Sequence, residues 1–136
     1  MRIIFWGTPN YSISSLEALN KNGHEIISVV TQPDKRRSRG KDYLPSAIKN
    51  KAKCLNIPVI TTSSIRKDKD VINKIKRLNA DIYIVVAFGQ ILPKELLDYP
   101  PYGCWNSHGS LLPRWRGAGP IQWSILSGDK KTGVAI

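Results

Sequence analysis

Cysteine, histidine, acidic residues and long hydrophobic runs are all scarce in this sequence, and each scarcity removes a class of function. Only Cys54 and Cys104 are present, too far apart for a Cys-x-x-Cys pair. With two histidines in 136 residues, no zinc ligand set can be assembled, so free thiols and no metal are expected. The longest apolar stretch, Ile82 to Gly89, falls far short of the roughly 20 residues that a bilayer span needs. Near the start, Arg2 is followed by a short apolar or small run, Ile3 to Gly7, before Thr8 and Pro9 break it, which is too little for a secretory signal. We expect a cytoplasmic, monomeric protein with no membrane partner.

The shortage of acid is the most informative. Twenty-one Lys and Arg stand against ten Asp and Glu, a formal net charge of +11. A field of that size concentrates polyanions and steers them inward, so nucleic acid leads the candidate partners, with a merely solvated basic surface as the plain alternative. The hydrophobic content of 41% is ordinary for a globular protein. A chain of this length buries roughly two-thirds of the surface its unfolded form exposes, so one real core is possible.

Apolar periodicity divides the chain into alternating elements. Arg2-Ile3-Ile4-Phe5-Trp6 reads as a strand ending at Gly7-Thr8-Pro9, and Ile13, Leu16 and Leu19 recur at helical spacing until Asn22-Gly23. Glu25 to Thr31 is a second strand, closed by the turn residues Gln32-Pro33-Asp34. A helix follows from Pro45 to Cys54, a short strand from Ile57 to Ile60, a helix from Lys67 to Leu78 and a strongly apolar strand from Asp81 to Ala87. Strands that are apolar on both faces and alternate with helices imply a mostly parallel sheet with helices on both faces, a Rossmann-like α/β domain. Ligands gather at the carboxyl ends of such strands, here Gly7 to Asn10, Gln32 to Lys41 and Phe88 to Leu92. Gly7 stands alone without a Gly-x-Gly-x-x-Gly pattern, so a tight turn is expected there rather than a phosphate cradle. Thr132 to Ile136 begins a strand with Val134 and Ile136 on one face; it stops without turn or cap, and we expect the chain to be truncated there.

The residues with chemistry cluster after Pro100-Pro101. If Tyr102 to His108 is extended, Cys104, Asn106 and His108 share one side. Imidazole moves protons near neutral pH and a carboxamide donates to a developing oxyanion, a pairing suited to acyl transfer. The plain alternative is an Asn capping a strand end beside a His with a buried hydrogen bond. Cys104 is a rival nucleophile, set against the habit of cysteine to act as a small buried hydrophobe. The segment Ser110 to Pro120 is rich in Pro, Gly and Arg, a kinked cationic loop able to wrap a planar ligand. Upstream, Lys35, Arg36, Arg37, Arg39 and Lys41 crowd positive charge into one loop whose natural target is phosphate. The basic residues of Arg66 to Arg77 read as the solvent face of a helix.

The run Asn106-Ser107-His108-Gly109-Ser110-Leu111-Leu112-Pro113-Arg114-Trp115-Arg116-Gly117 resembles the signature of the 10-formyltetrahydrofolate-dependent formyltransferases. Phe5-Trp6-Gly7-Thr8-Pro9, Thr31-Gln32-Pro33-Asp34 through Arg39-Gly40-Lys41, and Phe88-Gly89-Gln90-Ile91-Leu92-Pro93 resemble the methionyl-tRNA formyltransferase branch of that family, and Pro120-Ile121-Gln122-Trp123 and Gly128-Asp129 fit it too. The likeness covers essentially the whole chain. It implies the formyltransferase fold, with residues 1–136 as the amino-terminal part of the catalytic domain and the family's carboxyl-terminal tRNA-binding domain absent. It also implies transfer of a formyl group from 10-formyltetrahydrofolate to the amino group of initiator methionyl-tRNA. Asn106 would polarise the formyl oxygen and His108 handle the proton, with a third catalytic residue, an Asp, just beyond Ile136. The implied folate-binding residues are Ser110, Leu111, Leu112 and Pro113 with the backbone of Phe88, Gly89, Gln90, Ile91 and Leu92; the implied tRNA-binding residues are Arg36, Arg37, Arg39 and Lys41. Trp105 and Ser107 depart from the family pattern in ways that touch packing rather than chemistry. Two other readings stand beside this one: a folate-dependent formyltransferase whose acceptor is a sugar-nucleotide amine or water, which would not need so cationic a loop, and a catalytically inactive folate or RNA binder, because without the Asp nothing orients His108.

Overall fold

Ile3, Ile4, Phe5 and Trp6 are all 0–1% exposed, which only a central strand covered on both faces allows. In the computed structural model, which describes residues 1–36 and 43–136, this strand, β1 (Arg2–Gly7), is paired in parallel with β2 (Glu25–Thr31) on one side and β6 (Ile82–Val86) on the other. β5 (Val59–Thr61) lies parallel to β2, β7 (Cys104–Asn106) flanks β6, and the sheet order is β5-β2-β1-β6-β7.

Alternation along β1 divides the interior into two cores. Ile3 and Phe5 pack with Leu16 of α1 (Ser12–Lys21) and with Ile48 and Ala52 of α2 (Ala47–Cys54). Ile4 and Trp6 pack with Ile72 and Ile75 of α3 (Lys69–Arg77) and Leu96 of α4 (Lys94–Leu97). The helices therefore cover both faces, as expected. The β1–β2 register slips between Ile3, opposite Ile26, and Ile4, opposite Ser28. That extra residue in β2 resets its alternation, so that Ile26 and Val29 both reach one core while Val30 reaches the other.

Boundaries depart from the sequence pattern where side chains cap the backbone. α2 begins at Ala47 rather than Pro45 because Ser46 is extended and its hydroxyl accepts from Lys49 N. α3 begins at Lys69 rather than Lys67 because Asp68 accepts from Val71 N. Ile57 belongs to the turn that closes α2, its N–H bonded to Ala52 O at 2.8 Å beyond the left-handed Asn56, and the strand starts two residues later. In the Arg66 to Arg77 cluster Arg66, Lys67, Lys69, Lys74 and Arg77 are exposed, while Lys76 pairs with Glu95 at 2.7 Å; this is the solvent face expected.

A two-stranded antiparallel ladder, β3 (Lys35–Arg36) with β4 (Tyr43–Leu44), brackets the basic loop. The expected tRNA contacts Arg37, Arg39 and Lys41 lie outside the described residues, and Arg36 is described by its backbone alone. Among the described residues no helix is long and apolar enough to cross a membrane.

Two compact units can be told apart in the chain, 1–105 and 106–136. The second contains α5 (Pro120–Leu126) and the signature loop. The strand expected from Thr132 to Ile136 is reduced to one antiparallel bridge, Ala135 with His108, and Val134 and Ile136 are exposed.

Candidate active site

In the second unit Asn106 closes β7, exposed and with no side-chain hydrogen bond among the described residues. The strand covers only Cys104 to Asn106, so the alternation expected to place His108 on the same side as Asn106 does not run that far. His108 is held differently. Its backbone exchanges both hydrogen bonds with Ala135, at 2.8 and 2.9 Å, and its O accepts from Ser110 N at 2.9 Å. The ring Nε2 lies 2.9 Å from Trp115 O. A carbonyl can only accept, so Nε2 carries the hydrogen and Nδ1 is the nitrogen left to take a proton.

The loop that supplies this carbonyl is tied inward. Ser110 is fully buried and its hydroxyl donates to Arg114 O at 2.7 Å, a bond that shapes the loop. Leu111, Leu112 and Pro113 are exposed, with a cis peptide before Pro113. Trp115 adopts a left-handed φ of 57°. Its indole Nε1 donates to Asp129 Oδ2 at 2.6 Å, and the Arg114 guanidinium grips the same carboxylate through Nε at 2.9 Å and Nη2 at 2.7 Å. Arg114 also lies over the Trp115 ring, 4.3 Å from its centroid, and Trp123 stacks on Trp115 at 6.2 Å and 13°. The charge-assisted bond from Arg114, seconded by Trp115, holds the Asp129 carboxyl well below the usual carboxylate range.

In the first unit the chain turns out of β6 through Ala87 and Gly89, both at positive φ. Phe88 and Leu92, expected near folate, are core side chains, and Phe88 meets the Trp6 ring edge-on at 5.2 Å. Phe88 O accepts from Thr8 Oγ1 and Gln32 Nε2, each at 3.0 Å, so both its lone pairs are engaged. The Gln90 amide also turns inward, accepting from Ile65 N at 2.8 Å and donating to Thr62 O at 3.0 Å. The Gly89 backbone is exposed, and Ile91, 70% exposed, helps to line a shallow cavity of about 220 Å³ with Ser63, Ser64, Ile65, Arg66 and Gln90. At the foot of the basic loop Lys35 Nζ donates to Gln32 Oε1, and Asp34 pairs with Lys49 at 2.7 Å.

Cys104 packs against the core cluster of Trp6 and Tyr83, and burial pushes its thiol up to about 11. A thiol that stays protonated at neutral pH is a poor nucleophile, which favours the hydrophobe over the rival catalyst. Among the described residues no group of three or more His, Cys, Asp and Glu is placed to hold a metal. Gly7 has no positive φ; what it supplies is space, since a Cβ there would lie 2.9 Å from Ser12 Oγ. Asp129 stands in the sequence as half of Gly128-Asp129 with no role; its partners lie fourteen and fifteen residues back, and no local pattern announces them.

A family model described as formyl transferase matches residues 1–136. The chain is 60% identical to a methionyl-tRNA formyltransferase of Synechococcus sp. (strain WH7803) and 58% identical to one of Prochlorococcus marinus (strain NATL2A), in each case over 100% of the chain and 40% of the relative. It thus spans about two-fifths of the length of the curated relatives it matches. Among solved structures it is similar in fold to a phosphoribosylglycinamide formyltransferase from Bacillus halodurans, with a TM-score of 0.77 and 21% identity over 98% of the chain and 69% of that structure. It is also similar to a formyltetrahydrofolate deformylase from Pseudomonas syringae, with a TM-score of 0.71 and 19% identity over 96% of the chain and 43% of that structure. The signature loop around His108, the parallel sheet that precedes it and a family match from the first residue to the last agree, and the chain belongs to the formyl transferase family.

Proposed function

We propose that the chain is part of an enzyme that transfers a formyl group from 10-formyltetrahydrofolate to the amino group of initiator methionyl-tRNA in the cytoplasm, with residues 1–136 as the amino-terminal part of its catalytic domain. The observation that carries this reading is identity near 60% along the whole chain to proteins named for that activity. The methionyl amine attacks the formyl carbon and the carbonyl oxygen takes the negative charge. The Asn106 amide, exposed and uncommitted, donates to that oxygen. His108 accepts a proton from the attacking nitrogen at Nδ1, because Nε2 is engaged with Trp115 O, and returns it to the folate nitrogen as the carbon–nitrogen bond of the donor breaks. No metal enters this scheme.

Within the second unit, folate contacts are assigned to Ser110, Leu111, Leu112 and Pro113; within the first, to the backbone of Phe88, Gly89, Gln90, Ile91 and Leu92. Arg36, Arg37, Arg39 and Lys41 are assigned to tRNA phosphates. The test is binding of methionyl-tRNA across a salt series, with formyl transfer from 10-formyltetrahydrofolate measured in parallel. Phosphate contacts release counterions, so log K should fall steeply with log salt, and replacing Arg39 and Lys41 by Ala should flatten the slope by about 2. Asn106→Ala should lower formyl transfer by about 10²–10³-fold. A binding constant indifferent to salt removes the tRNA acceptor.

A further inference from the structure

Asp129 lies outside every role assigned above, yet it is the hub of the second unit. Its place is fixed by the end of α5, where Asp129 N bonds to Ser124 O and Gly128 N to Ile125 O, both at 3.0 Å, with Gly128 left-handed at φ 67°. That is a Schellman turn, and it delivers the next side chain back alongside the helix. The delivered carboxylate takes hydrogen bonds from two successive residues, Arg114 through Nε and Nη2 and Trp115 through Nε1. Its side chain is only 13% exposed.

These bonds act where the backbone is least free. A bulky residue at φ 57° is a sterically uncommon state that persists only when its surroundings over-determine it. The Trp115 ring is fixed by the indole–carboxylate bond, by the Arg114 guanidinium above it and by Trp123 stacked beside it. The direction of Trp115 O follows from that backbone state, and this oxygen receives Nε2 of His108. Were Trp115 to relax to an ordinary φ, the carbonyl would swing off the imidazole and the ring would be free to turn.

We infer that Asp129 is a positioning residue: through Trp115 it holds the carbonyl that fixes the His108 ring with Nε2 as donor and Nδ1 as acceptor. It touches no reacting atom. The catalytic consequence rests on the formyl-transfer reading of His108, whereas the positioning does not.

The test is nuclear magnetic resonance of the 136-residue chain labelled at its histidine ring nitrogens. There are two histidines, and His24→Gln assigns the second. A ring N–H held by a carbonyl is sheltered from exchange with water, so a His108 Nε2–H signal is expected at neutral pH in the unmutated chain and is expected to vanish in Asp129→Ala. If Asp129→Ala unfolds the second unit, Trp115→Phe decides the matter, because it keeps the carbonyl and an aromatic ring and leaves Asp129 without the indole donor; the signal should vanish there too. Persistence of the signal in a folded Asp129→Ala or in Trp115→Phe overturns the inference, as does its absence from the unmutated chain. The signal does not depend on formyl transfer, so a protein that shows it but binds methionyl-tRNA with a constant indifferent to salt refutes the function alone.

Discussion

Tyr83→Phe should stabilise this protein, although it removes a polar group from a well-packed core. The Tyr83 side chain is fully buried within the cluster of Trp6, Phe88 and Leu96, and its hydroxyl has no hydrogen-bond partner among the described residues. Burial, with smaller contributions from Tyr99 and Cys104, pushes the phenol well above its ordinary range. A buried hydroxyl left unpaired costs about 1–3 kcal/mol of desolvation. Against that, the void left by one oxygen, roughly 10–15 Å³, costs about 0.3 kcal/mol at ~24 cal/mol per Å³. The ring contact with Trp6, 5.6 Å between centroids, survives in phenylalanine. The balance is a gain of about 0.7–2.7 kcal/mol, read as a urea midpoint raised by roughly 0.4–1.3 M at an unchanged slope of about 2 kcal/mol/M. The pH dependence has a definite sign. The unfolded chain gives up the phenol proton near pH 10 while the fold retains it, so the unmutated protein loses stability above that pH and the variant loses less. A midpoint lowered by the substitution would refute the reasoning and would mean that an ordered internal water satisfies the hydroxyl.

Two other changes test the packing around the strand ends. A Cβ at Gly7 would lie 2.9 Å from Ser12 Oγ and 3.0 Å from Phe5 Cε1, and Ser12 Oγ is already committed to Pro9 O at 2.6 Å. Gly7→Ala should therefore cost about 1–3 kcal/mol by overpacking, measured by chemical denaturation; no loss would show that α1 shifts freely. Cys104 should resist iodoacetamide at about pH 8 in the native protein while the exposed Cys54 reacts, giving one adduct by mass spectrometry and two after unfolding. Because burial raises its thiol to about 11, the unfolded chain ionises first, and the contribution of Cys104 to stability falls between the ordinary thiol value and about pH 11; Cys104→Ser should change the stability profile in that window, and an unchanged profile would contradict the assigned burial.

The alternation of elements was legible in the sequence because it is a local property. A run such as Ile3 to Trp6, apolar at every position, has to be covered on both sides, and helices recurring between such runs supply the cover. The signature from Asn106 to Gly117 was legible for a different reason, since a long run of specific residues carries its own identity without any fold. What the sequence left open depends on partners distant along the chain. The register slip opposite Ile3 decides which face of β2 meets which core. Ser110, which as a motif residue looked available to a ligand, spends its hydroxyl on Arg114 O, and Phe88 has both carbonyl lone pairs taken by Thr8 and Gln32. The proton on His108 is placed at Nε2 by a carbonyl seven residues ahead, and that carbonyl is held by Asp129 a further fourteen residues on. Side-chain type and spacing set which groups exist and which faces are apolar; which of those groups remain free for chemistry is settled only when the folded backbone claims the others, because a hydrogen bond already made inside the protein is not open to a substrate.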